Sequence, residues 1–168
     1  MASDRGAAAY GRPRRGGERG FTYLELIATA TILMILASAI LPTAKVMRTR
    51  NREIELRREL RTLRNAIDRY KLGVDQGKIG GTDVKLGSEG YPPDLETLVE
   101  GVSQVGKLDT RLKFLRRVPI DPMRGKAEWG MRCYQDDADD RSWCGDNVYD
   151  VMSTSGGTAL DGSKYSEW

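Results

Sequence analysis

The sequence contains no histidine among its 168 residues. Histidine is the commonest general acid or base near neutral pH and a frequent zinc ligand, so its absence excludes Ser-His-Asp triads and His-containing metal sites. The sequence also offers no recognisable pair of nucleophile and base, and no glycine-rich phosphate loop after a strand. We therefore predict no catalytic residues and expect that the chain is not an enzyme.

Excess positive charge is confined to the first twenty residues. The formal net charge is +3, and residues 1–20 contain five arginines against two acidic residues, which accounts for all of it. Residues 21–168 then hold 22 basic and 22 acidic residues. Because nucleic-acid-binding surfaces carry a marked basic excess, we expect no nucleic-acid partner.

An uncharged apolar block covers residues 26–44, nineteen residues that follow the arginine-rich segment. This length is close to the roughly 20 residues that cross a bilayer as a helix. Three interpretations compete. The block is a plain membrane anchor, a secretory signal cleaved after Ala37-Ser38-Ala39, or a signal that is cleaved before the block, between Gly20 and Phe21.

Glu25 discriminates among these three interpretations. A carboxylate near the centre of a bilayer costs about 2.5–3.5 kcal/mol on insertion scales, and neither an anchor nor a secretory signal gains from that charge. Cleavage after Gly20 would instead expose a cationic amine on Phe21. Glu25 of an adjacent subunit would neutralise that amine inside an apolar assembly.

The run Gly20-Phe21-Thr22-Tyr23-Leu24-Glu25-Leu26, followed by an apolar helix, resembles the prepilin motif of type IV pilins and type II secretion pseudopilins. The resemblance implies that a prepilin peptidase cleaves between Gly20 and Phe21 and that the new N-terminus, Phe21, is N-methylated. It also implies that Glu25 guides assembly. Tyr23 and Leu24 depart from the commoner Leu-Ile pair.

Helical periodicity resumes after Pro42. Apolar residues recur at steps of three and four and form one stripe, made of Leu56, Leu60, Leu63, Ile67 and Tyr70. We predict one helix over residues 22–72, kinked or locally melted at Pro42 and stopped by Gly73. The stripe indicates core packing, and a dimeric coiled coil is the alternative.

The C-terminal part reads as a small domain of short elements. Glycines predict a loop or poorly ordered connector over residues 73–90. Asp94 or Pro93 can begin a short helix that Gly101 ends. Extended or strand-like segments follow, at an extended turn fixed by Pro119 and Pro122, at residues 127–134 and 147–153, and in a terminal piece near 165–168.

This order is similar to the head of the major pseudopilin of type II secretion. The matching residues are Tyr91, Pro92, Leu98, Val99, Phe114, Leu115, Pro119, Asp121, Pro122, Tyr149 and Trp168. The chain departs from that head at Met123-Arg124, where the family has Trp-Gly, and in its pair of cysteines. The resemblance implies an α+β, pilin-like fold, with a long N-terminal helix packed on a small antiparallel sheet. Its parts are a leader (1–20), a transmembrane or filament-core helix half (21–45), an amphipathic half (46–72) and a head (73–168).

Two cysteines, Cys133 and Cys144, enclose an aspartate-rich loop. In an exported chain we expect them to form a disulfide, and free buried thiols are the alternative. Carboxylates are the ligands that Ca²⁺ prefers, and the resemblance to calcium-binding pseudopilins makes Asp161, Asp137 and Asp139 candidate calcium ligands. A solvated acidic loop is the competing interpretation.

Together these features predict a structural pseudopilin of a type II secretion system. It would span the bacterial inner membrane once, keep its head in the periplasm, and polymerise with itself and other pseudopilins into a filament that drives protein export. Expected partners are the prepilin peptidase/methyltransferase, the inner-membrane assembly platform and the lipid bilayer. Alternatives are a type IV pilin that forms surface fibres and, from another class, a membrane-anchored periplasmic enzyme or binding module.

Overall fold

The computed structural model describes residues 20–81, 84–137, 140 and 142–168, with only the backbone at 39–42 and 108–109. The fold is α+β and divides into two compact units, residues 1–42 and 43–168. Its elements are helices α1 (Tyr23–Asp75) and α2 (Leu95–Glu100), strands β1 (Val102–Gln104), β2 (Lys107–Leu112), β3 (Trp129–Arg132) and β4 (Asp150–Ser153), and a final 3₁₀ helix (Tyr165–Glu167).

Helix α1 contains 53 residues and ends later than predicted. Its helical assignment includes Pro42, and the predicted kink there is untested because the side chains of residues 39–42 lie outside the description. Gly73 lies inside the last turns, where a Cβ would come within 2.6 Å of a side-chain carbon of Ile79. The stop is Gly77, with φ of 65°.

The hydrogen bonds at this stop form a Schellman motif. The amide of Lys78 donates to the carbonyl of Gly73 at 2.9 Å, and the amide of Gly77 donates to the carbonyl of Val74 at 2.8 Å. The prediction that Gly73 ends the helix was therefore wrong. That glycine provides room for Ile79, and the left-handed residue comes one turn later.

The predicted apolar stripe forms the centre of the second unit. Leu56, Leu60, Leu63, Ile67 and Tyr70 are all buried, and the Tyr70 ring meets the edge of Phe114 at a centroid distance of 5.5 Å. Burial of each such side chain contributes about 1.5–3 kcal/mol. The prediction that this half of α1 is core, against which the smaller elements pack, is confirmed within residues 43–168.

Helix α2 begins and ends at the predicted residues. Asp94 accepts a hydrogen bond from the amide of Thr97 at 2.7 Å, which satisfies a backbone donor that a helix N-terminus leaves free. At the other end Gly101 adopts φ of 82°. A Cβ at Gly101 would lie 2.9 Å from the carbonyl oxygen of Leu112, so only glycine fits the turn into β1 without movement.

The strands form two separate two-stranded sheets rather than the single small sheet expected. Strands β1 and β2 make an antiparallel hairpin with Val102 opposite Leu112, which was not predicted. Strands β3 and β4 pair antiparallel with Trp129 opposite Ser153, inside the two predicted strand regions.

Two predictions of irregular or extended structure need correction. The connector after α1 is not simply a loose loop, because Ile79 is buried and bridges to Gln104 beside β1. The terminal piece near 165–168 is a 3₁₀ helix rather than a strand, closed by a hydrogen bond from the amide of Glu167 to the carbonyl of Lys164 at 3.0 Å.

Polar contacts attach the C-terminal segment to α1. Arg64 donates to Asp150 at 2.7 Å and to the carbonyl oxygen of Trp168 at 3.1 Å. Glu53 accepts from the Tyr165 hydroxyl at 3.0 Å and from the amide of Leu160 at 2.8 Å. Burial raises the pKa of Tyr165, and the bond to the Glu53 carboxylate raises it further.

Candidate functional sites

The predicted cleavage point lies directly before α1. Gly20 and Phe21 are exposed, and the Phe21 side chain is 82% accessible. Residues 1–19 of the predicted leader lie outside the described residues. The Gly20–Phe21 bond is thus non-helical and open in this unit, as a peptidase substrate bond must be.

Glu25 lies in the first turn of α1, and the structure gives it a local role that the sequence analysis missed. Its amide donates to the Thr22 hydroxyl oxygen at 3.2 Å, while the Thr22 carbonyl accepts from the amide of Leu26 at 3.1 Å. Thr-x-x-Glu is the sequence pattern of a capping box, and a carboxylate in the first turn also interacts favourably with the helix dipole. Helix capping therefore explains why Glu25 and Thr22 occur here, but not why they precede an apolar segment.

The apolar part of α1 is exposed on every side within its unit. Large exposed hydrophobic residues are Phe21, Tyr23, Leu24, Leu26, Ile27, Ile32, Leu33, Met34, Ile35 and Leu36. The helix is long and apolar enough to cross a membrane, and its most apolar window is unburied. Contiguous apolar surface of this extent marks a membrane or interaction surface.

The two cysteines form the expected disulfide, with a Cα–Cα distance of 6.0 Å. The surrounding loop is held by buried Asn147, whose side-chain oxygen accepts from the amide of Tyr134 at 3.0 Å. Its backbone carbonyl accepts from the Trp143 indole at 2.7 Å. The disulfide thus closes a loop that polar contacts already order.

The candidate calcium ligands are not gathered into one group. Asp161 accepts from the Ser163 hydroxyl at 2.6 Å and pairs with Arg57 at 3.2 Å. The Ser163 hydrogen bonds, more than Arg57, lower the pKa of Asp161. Asp137 donates its amide to Asp140 at 3.3 Å, and Asp139 lies outside the described residues.

The structure does bring together another set of ligand-type side chains. Among the described residues, Cys133, Asp136 and Cys144 form the one group of three whose ligand atoms lie within 4.8 Å of one another. Both sulfurs are consumed by the disulfide, so this group has no thiolate to offer a metal. Calcium binding stays a prediction from the sequence.

Three tyrosines form a surface cluster that the sequence analysis did not single out. Tyr91, Tyr134 and Tyr149 have ring centroids 5.2–5.6 Å apart, and we call them the tyrosine cluster. Tyr91 precedes α2, Tyr134 follows Cys133, and Tyr149 precedes β4, so no local pattern predicts their meeting. Burial, and next the neighbouring Tyr149, raise the pKa of Tyr91.

Comparison of the chain with known protein families, with curated proteins and with solved structures finds no match.

Proposed function

We propose that this chain is a pseudopilin: a structural subunit that is processed between Gly20 and Phe21 and polymerises through the first half of α1. The observation that carries the proposal is an exposed apolar helix with Glu25 in its first turn, immediately after an accessible Gly20–Phe21 bond. Phe21 would be N-methylated. A plain anchor or a secretory signal accounts for the apolar residues but not for this order.

The exposed helix requires two apolar environments in turn. Before assembly the bilayer covers it, since a helix satisfies its own backbone hydrogen bonds in lipid. After assembly the same surface would pack against copies of itself in a filament core. One segment thereby serves as the anchor of the free subunit and as the contact between subunits.

Charge pairing gives Glu25 its role in the second environment. Two opposite charges about 4 Å apart attract by about 4 kcal/mol at an effective dielectric constant near 20. The Phe21 amine exists only after cleavage, so processing and assembly are coupled. The Thr22 cap keeps Glu25 in the first turn, close to where the amine of a neighbouring subunit would arrive.

The head supports export. Disulfides persist in oxidising compartments such as the bacterial periplasm, and the Cys133–Cys144 bond lies in the second unit with the other C-terminal elements. We infer a periplasmic head and an N-terminus that faces the peptidase and the inner-membrane assembly platform. The filament would push folded substrates through a type II secretion channel.

A type IV pilin that forms surface fibres is the second candidate. The disulfide loop favours it, because it is absent from the pseudopilin head that the sequence resembles. Deletion of the gene separates the two functions. A secretion pseudopilin predicts that exoproteins accumulate in the periplasm, whereas a pilin predicts the loss of long surface fibres without a secretion defect.

The variant Glu25→Ala tests the assembly mechanism. We expect normal cleavage, because the Gly20–Phe21 bond is unchanged, and a strong reduction of sheared filaments on immunoblots. Thr22→Ala is the matched control, since it removes the cap of the same turn and leaves the carboxylate. Normal filament yield from Glu25→Ala, or an equal defect in both variants, would reduce Glu25 to a helix-capping residue.

A further inference from the structure

The tyrosine cluster is largely open to solvent despite its size. Tyr134 is 55% and Tyr149 is 45% exposed. Tyrosine is enriched at the centres of protein interfaces, where a rigid ring supplies much contact area and loses little conformational entropy. Three adjoining rings at one surface position therefore indicate a docking surface.

The rim of the cluster is acidic. Its two lysines are already paired: Lys71, which lies 5.5 Å from the centre of the Tyr91 ring, bonds Asp75 at 2.7 Å, and Lys85 bonds Asp146 at 3.0 Å. Glu89 precedes Tyr91 by two residues and Asp136 follows Tyr134 by two. Neither forms an ion pair among the described residues. Electron-rich ring faces beside unpaired carboxylates fit a cationic partner, and arginine best of all.

The same unit carries a matching cationic surface. Arg116 and Arg117 are both exposed, and within the described part of the chain neither forms an ion pair. They line a shallow groove with Glu55 and Glu59 of α1. Exposed Ile120 lies beside them and adds an apolar contact.

The two surfaces occupy different levels and sides of α1. The arginine pair lies beside Glu59 and the tyrosine cluster beside Lys71. Twelve residues of helix separate these positions, a rise of about 18 Å and a rotation of about one third of a turn. A contact between different surfaces of two copies is heterologous, and such contacts propagate into open helical filaments unless their rotation closes a ring.

We infer that the tyrosine cluster of one subunit receives Arg116 and Arg117 of a second copy of this chain. This inference rests on the proposed function and specifies a head-to-head contact of the filament. The guanidinium planes stack on the exposed rings of Tyr134 and Tyr149, while Glu89 and Asp136 supply the opposite charge.

Photo-crosslinking in the full-length, membrane-assembled chain tests this contact. Tyr134 is replaced by p-benzoylphenylalanine, which keeps an aromatic ring at the position, and the cells are irradiated. We expect a covalent dimer whose crosslinked peptide, identified by mass spectrometry, contains Arg116 and Arg117 of the other copy. A crosslink to another protein, to another surface of the second copy, or no crosslink at all would overturn the inference.

Charge reversal supplies the matched comparison. In the same photo-reactive background, Arg116→Glu/Arg117→Glu should lower the dimer yield about tenfold, the scale of an interface hot spot. Lys107→Glu/Arg111→Glu changes the net charge equally, on the exposed β1–β2 hairpin, and should leave the yield unchanged. Equal yields from both pairs would contradict the contact, and a retained disulfide shows that each variant folds.

The outcome is separable from that of the proposed function. Filaments of Phe21-processed subunits without the mapped crosslink would remove this contact and leave the pseudopilin assignment in place. The mapped crosslink in a chain whose N-terminus is not Phe21 would keep the contact and remove the assignment.

Discussion

Truncation of Leu63 is the sharpest test of the account of the second unit. Leu63 is fully buried in the stripe of α1, whereas Leu72 of the same helix is 54% exposed. Leu63→Ala and Leu72→Ala therefore make the same chemical change in the same helix, and nearly equal helix propensities of Leu and Ala cancel between them. The two variants differ chiefly in burial.

The expected magnitudes follow from that difference. A fully buried Leu→Ala change costs about 2.7–5 kcal/mol, because a cavity adds to the lost transfer free energy. An exposed substitution usually stays within about 0.5 kcal/mol. For a unit of this size we expect Leu63→Ala to lower the midpoint of thermal unfolding by about 10 °C, and Leu72→Ala by about 2 °C or less.

Tryptophan fluorescence of the detergent-solubilised chain measures this, because all three tryptophans lie after residue 128 and report on the second unit alone. Urea titrations would supply the free energies and show whether the slope is unchanged. Equal losses for the two variants, or a loss below about 1 kcal/mol for Leu63→Ala, would refute the claim that the stripe is the core.

Three further predictions concern the disulfide, the C-terminal segment and calcium. Cys144→Ser should lower the free energy of unfolding by about 3 kcal/mol, and a reductant should destabilise the wild type but not the variant. The folded chain raises the pKa of Tyr165, so the unfolded chain loses this proton first and stability should fall as the pH rises above about 10. Tyr165→Phe should weaken that alkaline dependence, and an unchanged profile would contradict the role of the hydroxyl. Ca²⁺, but not Mg²⁺, should raise the unfolding temperature of the wild type if Asp161 and its neighbours bind it, and no shift with either ion removes the calcium hypothesis.

The features that the sequence predicted are those with local signals. The stripe of α1 needs only a 3.6-residue period, and the ends of α2 need only Asp94 and Gly101 at the right spacing. The pairing of Cys133 with Cys144 follows from there being two cysteines in a chain expected to be exported. In each case a few neighbouring residues carry the physical cause.

The features that it missed depend on contacts between distant segments. Gly73 looked like a helix stop because nothing local shows that Ile79 packs against it. The β1–β2 hairpin carries charged residues in both the turn and the second strand, which masks its strand pattern. The tyrosine cluster joins three segments that only the fold brings together. The Thr22–Glu25 cap was readable from the sequence, but the membrane context drew attention to the charge alone.

The mass of the mature N-terminal peptide tests the central claim most directly. The chain is purified from membranes and its N-terminal peptide is sequenced by mass spectrometry. The account predicts a peptide that begins at Phe21 and carries one added methyl group on its amine. A peptide that begins at Ile40 would identify an ordinary secretory signal, and an intact Met1 a plain anchor; either result would contradict the account.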